Sequence, residues 1–378
     1  HPVGRLLETI EKLGAMDNTL IYYIIGDNGA SAEGGLNGCF NEMSYFNGLQ
    51  GLETAEYLTE RLDKLGGPES YNHFAVGWAH AMNTPLQWTK QVASHWGGTR
   101  NGTIVHWPKG IQAKGEQRTQ FAHVIDVAPT ILEAAGIPEP LSVDGIQQDP
   151  IDGVSMLHTF NDAAAPEHHE TQYFEVMGNR AIYHKGWTAV TKHYTPWINI
   201  PRVPLDDDVW ELYDTNNDWS QSKDLSKEMP DKLRELQRLF IIEATRNKVL
   251  PLDDRMFEKM NPDTAGRPVL IKGKTQLLAG GMGHLGENCM LSIKNKSHTV
   301  TAEIVVPAGG AEGVIIAQGA DIGGWSLYAL NGKLKYCYNW GGFKHFMVEG
   351  ATKMSPGEHQ VRMEFAYAGG GLGKGGKA

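Results

Sequence analysis

A pair of oxygen-bearing side chains, Asp27 and Asn28, follows an apolar run at residues 21–25 and is flanked by Gly26 and Gly29. A run rich in β-branched and aromatic residues that ends abruptly in polar ones is typical of a fully buried parallel strand. In open α/β sheets, ligands bind outside the carboxyl ends of such strands. Carboxylate and amide oxygens suit hard cations such as Ca²⁺ and Mg²⁺. The pattern favours a cation site, although Asp, Asn and Gly are also the residues of an ordinary turn.

Three other groups of side chains are candidates for binding, and each has a simpler interpretation. The pairs His168–His169 and His73 with His80 lack the i,i+4 spacing of helical metal ligands, and the first pair lies among acidic residues typical of a solvated surface. The acidic run at residues 206–208 is typical of a solvated loop. Aromatic side chains near the carboxyl end suit sugar stacking, but alternation along strands buries about half of them and favours core packing. They are Trp325, Tyr328, Tyr336, Tyr338 and Trp340.

The composition disfavours several classes of protein. Of the 378 residues, 34 are basic and 44 are acidic, which gives a net charge of −10. The chain has no basic run, so nucleic acid and anionic membranes are not expected as partners. No apolar stretch is long enough to span a bilayer. The widely spaced Cys39, Cys289 and Cys337 argue against a zinc–cysteine site and against a disulfide framework.

The elements that would carry the oxygen pair form part of an α/β unit. Residues 3–13 have the 3.6-residue period of a helix, and a strand at residues 19–25 follows a turn. A second strand is predicted at residues 102–107, and a helix is predicted from Asp126 as its N-cap to Gly136 as its C-cap. Because the first strand of this pattern is missing, we expect the α/β domain to be incomplete.

The rest of the chain predicts two further regions. Four short strands within residues 171–213 and an amphipathic helix after Pro230 indicate a small antiparallel subdomain. After about residue 270, alternating strands replace the helical period, and Asn331–Gly332 predicts a hairpin turn, which together indicate a β-sandwich-like domain. We therefore predict three domains, at residues 1–165, 166–270 and 271–378.

Several motifs match one family in their order and spacing. Over residues 1 to about 250 they resemble the carboxyl-terminal part of bacterial arylsulfatases, which are type I, formylglycine-dependent sulfatases of the alkaline-phosphatase superfamily. The resemblance implies an α/β fold with an alkaline-phosphatase-like mixed sheet flanked by helices. The β region after residue 275 resembles the carboxyl-terminal domain of these enzymes. The motifs are GDNGASAEGG at residues 26–35, NTPLQWTK at 83–90, GGTRN at 97–101, WPKGI at 107–111 and HVIDVAPTIL at 123–132.

The resemblance implies a sulfate pocket and a Ca²⁺ site, with Mg²⁺ less favoured, at the carboxyl edge of the sheet. By motif, Asp27 and Asn28 would be metal ligands, Asn28 would also lie near the nucleophile, and Lys90 would contact the sulfate group. His95 and Arg100 flank the glycine turn near Lys90 and would line the pocket. A fixed cation and a metal suit this reaction because sulfate ester cleavage concentrates negative charge on the bridging and sulfuryl oxygens. The expected substrate is a small-molecule sulfate ester or a sulfated glycan.

The nucleophile motif of the family, Cys-x-Pro-x-Arg or Ser-x-Pro-x-Arg, does not occur in this sequence. In the family its first residue is oxidised to formylglycine, which supplies the attacking oxygen. We therefore expect a fragment that is inactive alone. For the complete enzyme, a periplasmic or extracellular compartment is favoured over the cytoplasm. Two alternatives are a phosphatase or phosphonate monoester hydrolase of the same superfamily, and a noncatalytic scaffold whose β domain binds glycan. The asparagine after Asp27, with no Asp-x-x-x-His beside it, disfavours the phosphatase.

Overall fold

The computed structural model describes residues 1–46, 48–198, 201–255, 257–260, 265–266, 268, 270–320, 323–371 and 375–378. Two compact units are present: unit 1 comprises residues 1–32 and 76–254, and unit 2 comprises residues 33–75 and 255–378. The three domains proposed from the sequence stay a prediction.

The α-helices are α1 (Pro2–Lys12), α2 (Met43–Phe46), α3 (Ala55–Thr59), α4 (Val76–Asn83), α5 (Trp96–Thr99), α6 (Val127–Ala135) and α7 (Pro230–Arg246). The strands are β1 (Ile21–Ile24), β2 (Thr103–His106), β3 (Ser142–Val143), β4 (Ile146–Gln147), β5 (Thr171–Val176), β6 (Asn179–His184), β7 (Trp187–Thr191), β8 (Glu211–Asp214), β9 (His298–Val306), β10 (Gly313–Ala320), β11 (Gly323–Leu330), β12 (Lys333–Trp340), β13 (Lys344–Glu349), β14 (Gly357–Tyr367) and β15 (Gly376–Lys377).

The strand before Asp27 differs from its prediction. β1 pairs antiparallel with β2 in a two-stranded sheet, with Ile24 opposite Thr103. The side chains of Tyr23 and Ile24 are exposed. The prediction of a fully buried parallel strand was therefore wrong. An apolar run fits either pairing direction, and composition alone does not say which layers cover the strand.

The helix predicted from Asp126 to Gly136 is present as α6, and Gly136 ends it in the left-handed conformation (φ 66°). The role of Asp126 differs from the predicted one. Its carboxylate does not cap α6 but accepts hydrogen bonds from the backbone N–H groups of His123 (2.7 Å) and Val154 (2.8 Å). Asp126 therefore fastens the entry to α6 to a segment 28 residues further along the chain.

The predicted antiparallel subdomain is confirmed in unit 1 as the four-stranded sheet β5-β6-β7-β8 with the helix α7. One face of the sheet packs against α7, with Ile182, Leu212, Leu236 and Phe240 in a buried cluster. Leu233 and Leu239 of the same helix pack at the edge of this cluster. The period of the helix and the pleat of the sheet thus bring two apolar surfaces together.

The opposite face of this sheet is also buried, and it carries the loops that contain Lys90 and His95. Tyr213 of β8 packs edge-on against the His95 ring at 6.2 Å. Gln221 is fully buried and links the two parts: its Oε1 accepts from Trp96 N (2.9 Å), and its Nε2 donates to the Thr188 hydroxyl in β7 (3.1 Å). The sheet therefore serves as the platform on which the candidate site is built.

Unit 2 contains two antiparallel sheets, in the orders β10-β11-β12-β13 and β15-β14-β9. Leu327 and Tyr336 of the first sheet form a buried cluster with Met363 of the second, which confirms the β-sandwich-like region. Asn331 and Gly332 have φ values of 54° and 77°, as a type I′ hairpin requires. β13 has the sequence KHFMVE, which lacks the clear alternation that predicts a strand.

The aromatic side chains of unit 2 follow the core interpretation in part. Tyr336 is buried, and Trp325 packs against the same cluster. Tyr338 is exposed and faces Phe346 across the β12–β13 pair, with ring centroids 6.5 Å apart. Cys39, Cys289 and Cys337 are free thiols. Among the described residues, none of the helices has the length and apolarity that crossing a membrane requires.

The packing of α7 on the sheet leads to a stability prediction. Leu236 is fully buried, so Leu236→Ala should lower the free energy of local unfolding by about 2–5 kcal/mol. The control is Ile241→Ala in the same helix, where the side chain is exposed and the expected change is within about 0.5 kcal/mol. Hydrogen–deuterium exchange of peptides from α7 and β6 measures both. Equal protection in the two variants would show that α7 does not pack as described.

Candidate functional site

The Asp27–Asn28 segment follows β1 and is held by its backbone. Asp27 is exposed and Asn28 is half-buried. Asn28 Nδ2 donates to Gly29 O at 2.8 Å, so Oδ1 is the atom that the amide offers to a cation. With its amide oriented to satisfy both groups, Asn101 donates to Asn28 O (2.7 Å) and accepts from Asn28 N (2.9 Å). The segment is therefore fixed against the start of β2.

The Lys90 segment is joined directly to the residues that follow Asn28. Lys90 N donates to Ala30 O at 3.0 Å. Asn83, the last residue of α4, accepts from Ala30 N through Oδ1 at 3.0 Å. The structure thus brings together the segments of Asn28 and Lys90, which are about 60 residues apart in the sequence.

The carboxamide of Asn83 also fixes two further loops. Its Nδ2 donates to Trp88 O at 2.9 Å and to Gly97 O at 2.7 Å. One side chain therefore satisfies three backbone groups from three segments, which uses three of the four hydrogen bonds that an asparagine can form. Sequence reasoning missed this residue. The signal that marks it is its position at the start of the motif at residues 83–90.

Glycines allow these segments to approach at backbone distance. Gly29 N donates to Gly98 O at 3.0 Å. A Cβ atom on Gly29 would lie 1.6 Å from Gly97 O, and one on Gly97 would lie 2.0 Å from Gln87 O. No side chain fits at either position, which explains why glycines stand at both points of contact.

The loop around Lys90 has a strained backbone on both sides. Trp88 and Gln91 have φ values of 67° and 75°, a left-handed conformation that is rare for residues with a side chain. Such conformations cost about 1–3 kcal/mol each and persist where the surroundings impose them, often at functional sites. Here Asn83 holds Trp88 O, and the buried Asn179 donates to Gln91 O at 3.1 Å. The loop that carries Lys90 is thus held in a strained conformation by hydrogen bonds from residues outside the loop.

His95 lies in the interior of unit 1. Its Nδ1 contacts the Ser94 hydroxyl (2.9 Å), and its Nε2 contacts Glu211 Oε2 (3.2 Å). The hydrogen bond from His95 lowers the pKa of Glu211 despite burial of the carboxyl, and the Tyr213 hydroxyl donates to the same oxygen. Both ring nitrogens are therefore engaged within the protein, and a contact between His95 and substrate stays a prediction.

Arg100 lies at the surface and packs on aromatic rings. Its guanidinium carbon is 4.7 Å from the ring centroid of Trp96 and 5.6 Å from that of Trp219. The cation is thereby held by cation–π contacts close to the glycine turn at Gly97 and Gly98. Its role in lining a substrate pocket also stays a prediction.

The pair His168–His169 differs in part from the solvated surface expected of it. His168 is exposed and stacks on His158, with centroids 3.6 Å apart. His169 is buried, and its Nδ1 contacts both oxygens of Asp126 at 2.8 and 2.9 Å. Burial alone would lower the pKa of His169, but the hydrogen bond and charge of Asp126 raise it. Asp126 has a lowered pKa: burial opposes ionisation, and the bonds from His169 and two backbone N–H groups outweigh it.

The acidic run at residues 206–208 is also only partly solvated. Asp206 and Asp207 are exposed, but the Asp208 carboxylate is buried and pairs with Arg180 (2.6 Å) and His193 (2.8 Å). The solvated interpretation was therefore wrong for Asp208 and for His169. A local run of polar residues does not reveal whether the fold brings a partner from a distant part of the chain to pair with one of them.

The donor set for a metal is partial. Asp27 and Asn28 supply two hard oxygens, whereas Ca²⁺ takes about six to eight. Within the described ranges, no three or more His, Cys, Asp or Glu side chains lie together in a way that would hold a metal ion. The chemistry of the two donors fits a hard cation, but they form at most one side of its coordination shell.

Comparison with protein families matches the sequence to two models. The Sulfatase family model matches residues 1–137, and the model described as N-sulphoglucosamine sulphohydrolase, C-terminal, matches residues 94–240. Together they cover the Asp27–Asn28 segment, Lys90 and the platform sheet. The overlap of the two matches includes His95 and Arg100.

The curated relatives are sulfatases that are longer than this chain. An uncharacterized sulfatase of Schizosaccharomyces pombe is 28% identical over 265 residues, which are 68% of this chain and 44% of the relative. The arylsulfatase of Klebsiella aerogenes is 27% identical over 47% of this chain and 34% of the relative. The N-acetylglucosamine-6-O-sulfatase of Bacteroides thetaiotaomicron is 22% identical over 73% of this chain and 37% of the relative.

Among solved structures, that of Ps i-CgsB with k-i-k-neocarrahexaose matches with a TM-score of 0.42 and 22% identity, over 70% of this chain and 45% of that chain. The chain thus spans less than half the length of the relatives it matches.

The position of Asn83 predicts a large effect for its removal. Asn83→Ala leaves Ala30 N, Trp88 O and Gly97 O without their partner, so unit 1 should lose about 2–4 kcal/mol of unfolding free energy. Asn83→Asp keeps an oxygen that accepts from Ala30 N, but it replaces the donor to Trp88 O and Gly97 O by a second oxygen. Because an oxygen cannot donate to these two carbonyls, Asn83→Asp should not be as stable as wild type. The control Asn217→Ala removes an exposed asparagine that donates to Asp214 at 2.8 Å, with an expected change below about 1 kcal/mol. Chemical denaturation compares the three, and an Asn83→Asp variant as stable as wild type would contradict this account.

The His169–Asp126 pair predicts a pH-dependent stability. His169→Asn keeps a neutral donor toward Asp126 but removes the charge, so wild type should exceed it in stability most between about pH 4 and 6.5. The raised pKa of His169 stabilises the fold at pH values below the pKa of histidine in the unfolded chain, and this stability is lost as the pH rises through the pKa of His169 in the folded protein. The lowered pKa of Asp126 stabilises the fold at pH values above the pKa of aspartate in the unfolded chain, and this stability is lost as the pH falls through the pKa of Asp126 in the folded protein. The difference in urea midpoint should therefore narrow at both ends of a titration from pH 3 to 9. The exposed His168→Asn is the control, and a difference that is flat with pH would contradict a charged pair.

Proposed function

We propose that this chain, in which residues 1–137 match the Sulfatase model and residues 94–240 match the model described as N-sulphoglucosamine sulphohydrolase, C-terminal, provides the sulfate- and cation-binding part of a sulfuric ester hydrolase. The observation that carries the proposal is the hydrogen bond from Lys90 N to Ala30 O at 3.0 Å, together with the Asn83 bridge. These contacts hold the segments that carry the two hard oxygen donors and the cationic side chain in one group of loops. The relatives that match the chain are named as sulfatases.

The chemistry of sulfate ester hydrolysis suits this arrangement. As the ester bond breaks, negative charge grows on the bridging oxygen and is shared with the sulfuryl oxygens. Lys90 would bind the sulfate group through its ammonium, a compact positive charge with three N–H donors. Because its loop is held by Asn83 and Asn179, the backbone of Lys90 would be positioned before substrate binds.

Asp27 and Asn28 would hold one side of a Ca²⁺ ion with their side-chain oxygens. When bound, the cation would supply positive charge to the sulfuryl oxygens, and formylglycine would supply the attacking oxygen. The 378 residues contain no Cys-x-Pro-x-Arg or Ser-x-Pro-x-Arg motif, so the part proposed for this chain is binding and positioning. The expected substrates are sulfate esters of phenols or of sugars, the two classes that the names of the relatives indicate.

Isothermal titration with CaCl₂ and with Na₂SO₄ tests the proposal. Lys90→Ala should weaken sulfate binding at least about tenfold, and Asp27→Ala should weaken Ca²⁺ binding to a similar extent, because each removes a charge-assisted contact. Two variants at exposed positions outside the site serve as controls: Lys223→Ala changes the net charge as Lys90→Ala does, and Asp149→Ala changes it as Asp27→Ala does. Both controls should leave the affinities for sulfate and for Ca²⁺ within about twofold of wild type.

Each substitution isolates one part of the proposal. Sulfate binding that Lys90→Ala leaves unchanged would overturn the role of Lys90. Ca²⁺ binding that Asp27→Ala leaves unchanged would overturn the metal assignment. Circular dichroism of the variants shows whether a lost affinity reflects a lost fold.

A further inference from the structure

Three side chains from two segments of unit 1 meet beside Lys90. The rings of Trp88 and Trp197 lie with centroids 6.4 Å apart and a 41° angle between their planes. The Lys192 ammonium is 5.1 Å from the centroid of the Trp88 ring and 3.4 Å from the Thr195 hydroxyl. All three side chains are half-buried, so each keeps part of its surface open to solvent. Trp88 is two residues from Lys90 in the same loop, so this cluster lies close to the backbone of the proposed sulfate-binding residue.

The Trp88 ring is fixed from several sides. Its backbone is held in the left-handed conformation by the Asn83 hydrogen bond to Trp88 O. Its ring packs against the buried His95 ring at 6.3 Å as well as against Trp197. A bulky residue in this conformation is a genuine outlier, and such strain is typical of positions that serve a ligand. The indole is thus held in place before any ligand binds.

The combination of two indoles and one ammonium indicates a class of ligand. An indole ring offers a flat apolar face that suits the C–H surface of a sugar ring. An ammonium that lies over such a face can pair with an anionic substituent of the same sugar. From this geometry we infer that Trp88, Trp197 and Lys192 form a subsite for a sugar ring that carries a second anionic group. The inference rests on the proposed function, because Lys90 would hold the first sulfate.

An uncharged phenyl ring fits this subsite less well than an anionic sugar. The Lys192 ammonium already lies close to the Trp88 ring, so a sugar stacked on an indole would bring its anionic substituent within reach of that cation. A phenol offers that cation no anionic partner, whereas a sulfated or carboxylated sugar offers both a C–H surface and a charge. The subsite therefore deepens the proposed function from a general sulfate esterase to one that selects anionic glycans.

The test compares four probes by isothermal titration with the full chain: Na₂SO₄, 4-nitrophenyl sulfate, glucose 6-sulfate and glucosamine 2-N,6-O-disulfate. Wild type should bind the disulfate at least about fivefold more tightly than glucose 6-sulfate. Lys192→Gln should abolish this preference and leave glucose 6-sulfate within about twofold. Trp197→Leu should weaken both sugars about tenfold but leave Na₂SO₄ unchanged. Lys223→Gln, at an exposed position, is the matched control for Lys192→Gln.

The outcomes separate the subsite from the proposed function. If Lys90→Ala weakens every probe while Lys192→Gln and Trp197→Leu bind both sugars like wild type, the subsite is overturned and the proposed function stands. If Lys90→Ala changes nothing while those two variants lose sugar binding, the role of Lys90 is overturned and the subsite stands. Failure of wild type to bind either sugar at millimolar concentration, or tighter binding of 4-nitrophenyl sulfate than of both sugars, overturns the subsite. Thermal unfolding confirms that Trp197→Leu is folded.

Discussion

The arrangement of the candidate site depends on the carboxamide of Asn83. Three backbone groups, on Ala30, Trp88 and Gly97, meet this side chain at 3.0, 2.9 and 2.7 Å. Loops of this kind have no regular partner for their N–H and C=O groups, and a half-buried backbone group without a partner is costly. A side chain with both a donor and an acceptor end can satisfy groups of both kinds at once. The glycines at positions 29 and 97 then let the loops approach closely enough to share it.

The sheet β5-β6-β7-β8 anchors this set of loops. Its α7 face is apolar and supplies hydrophobic stabilisation, whereas its other face contributes polar contacts from Asn179, Thr188 and Glu211 to the loops. The buried Asp208 is paired with both Arg180 and His193, as a charge removed from water requires. The strained conformations of Trp88 and Gln91 are tolerated because Asn83 and the buried Asn179 hold their carbonyl groups.

The proposed chemistry requires an acidic protein to bind an anion. The net charge of −10 opposes anion binding at long range, but screening limits that field to about 8 Å at physiological ionic strength. Local groups therefore decide the affinity. Lys90, a cation near Asp27 and Asn28, and Lys192 beside Trp88 would together supply positive charge where a polyanionic sugar needs it. A site of this kind selects by the spacing of its charges more than by its total charge.

The sequence by itself determined the elements whose information is local. The period of α7, the alternation of the last strands, the Asn331–Gly332 hairpin and the end of α6 at Gly136 were all predicted correctly, because each depends on neighbours within a few residues. The motifs also indicated the similarity to sulfatases and the segments that carry Asn28 and Lys90. The tertiary structure alone decided how those segments meet. The contacts that hold them join residues far apart in the chain: Asn83 with Ala30 across 53 positions, Asn179 with Gln91 across 88, and His95 with Glu211 across 116. The direction of β1 and the burial of Asp208 and His169 were likewise decided there, because a polar or apolar letter does not reveal which partner will cover it.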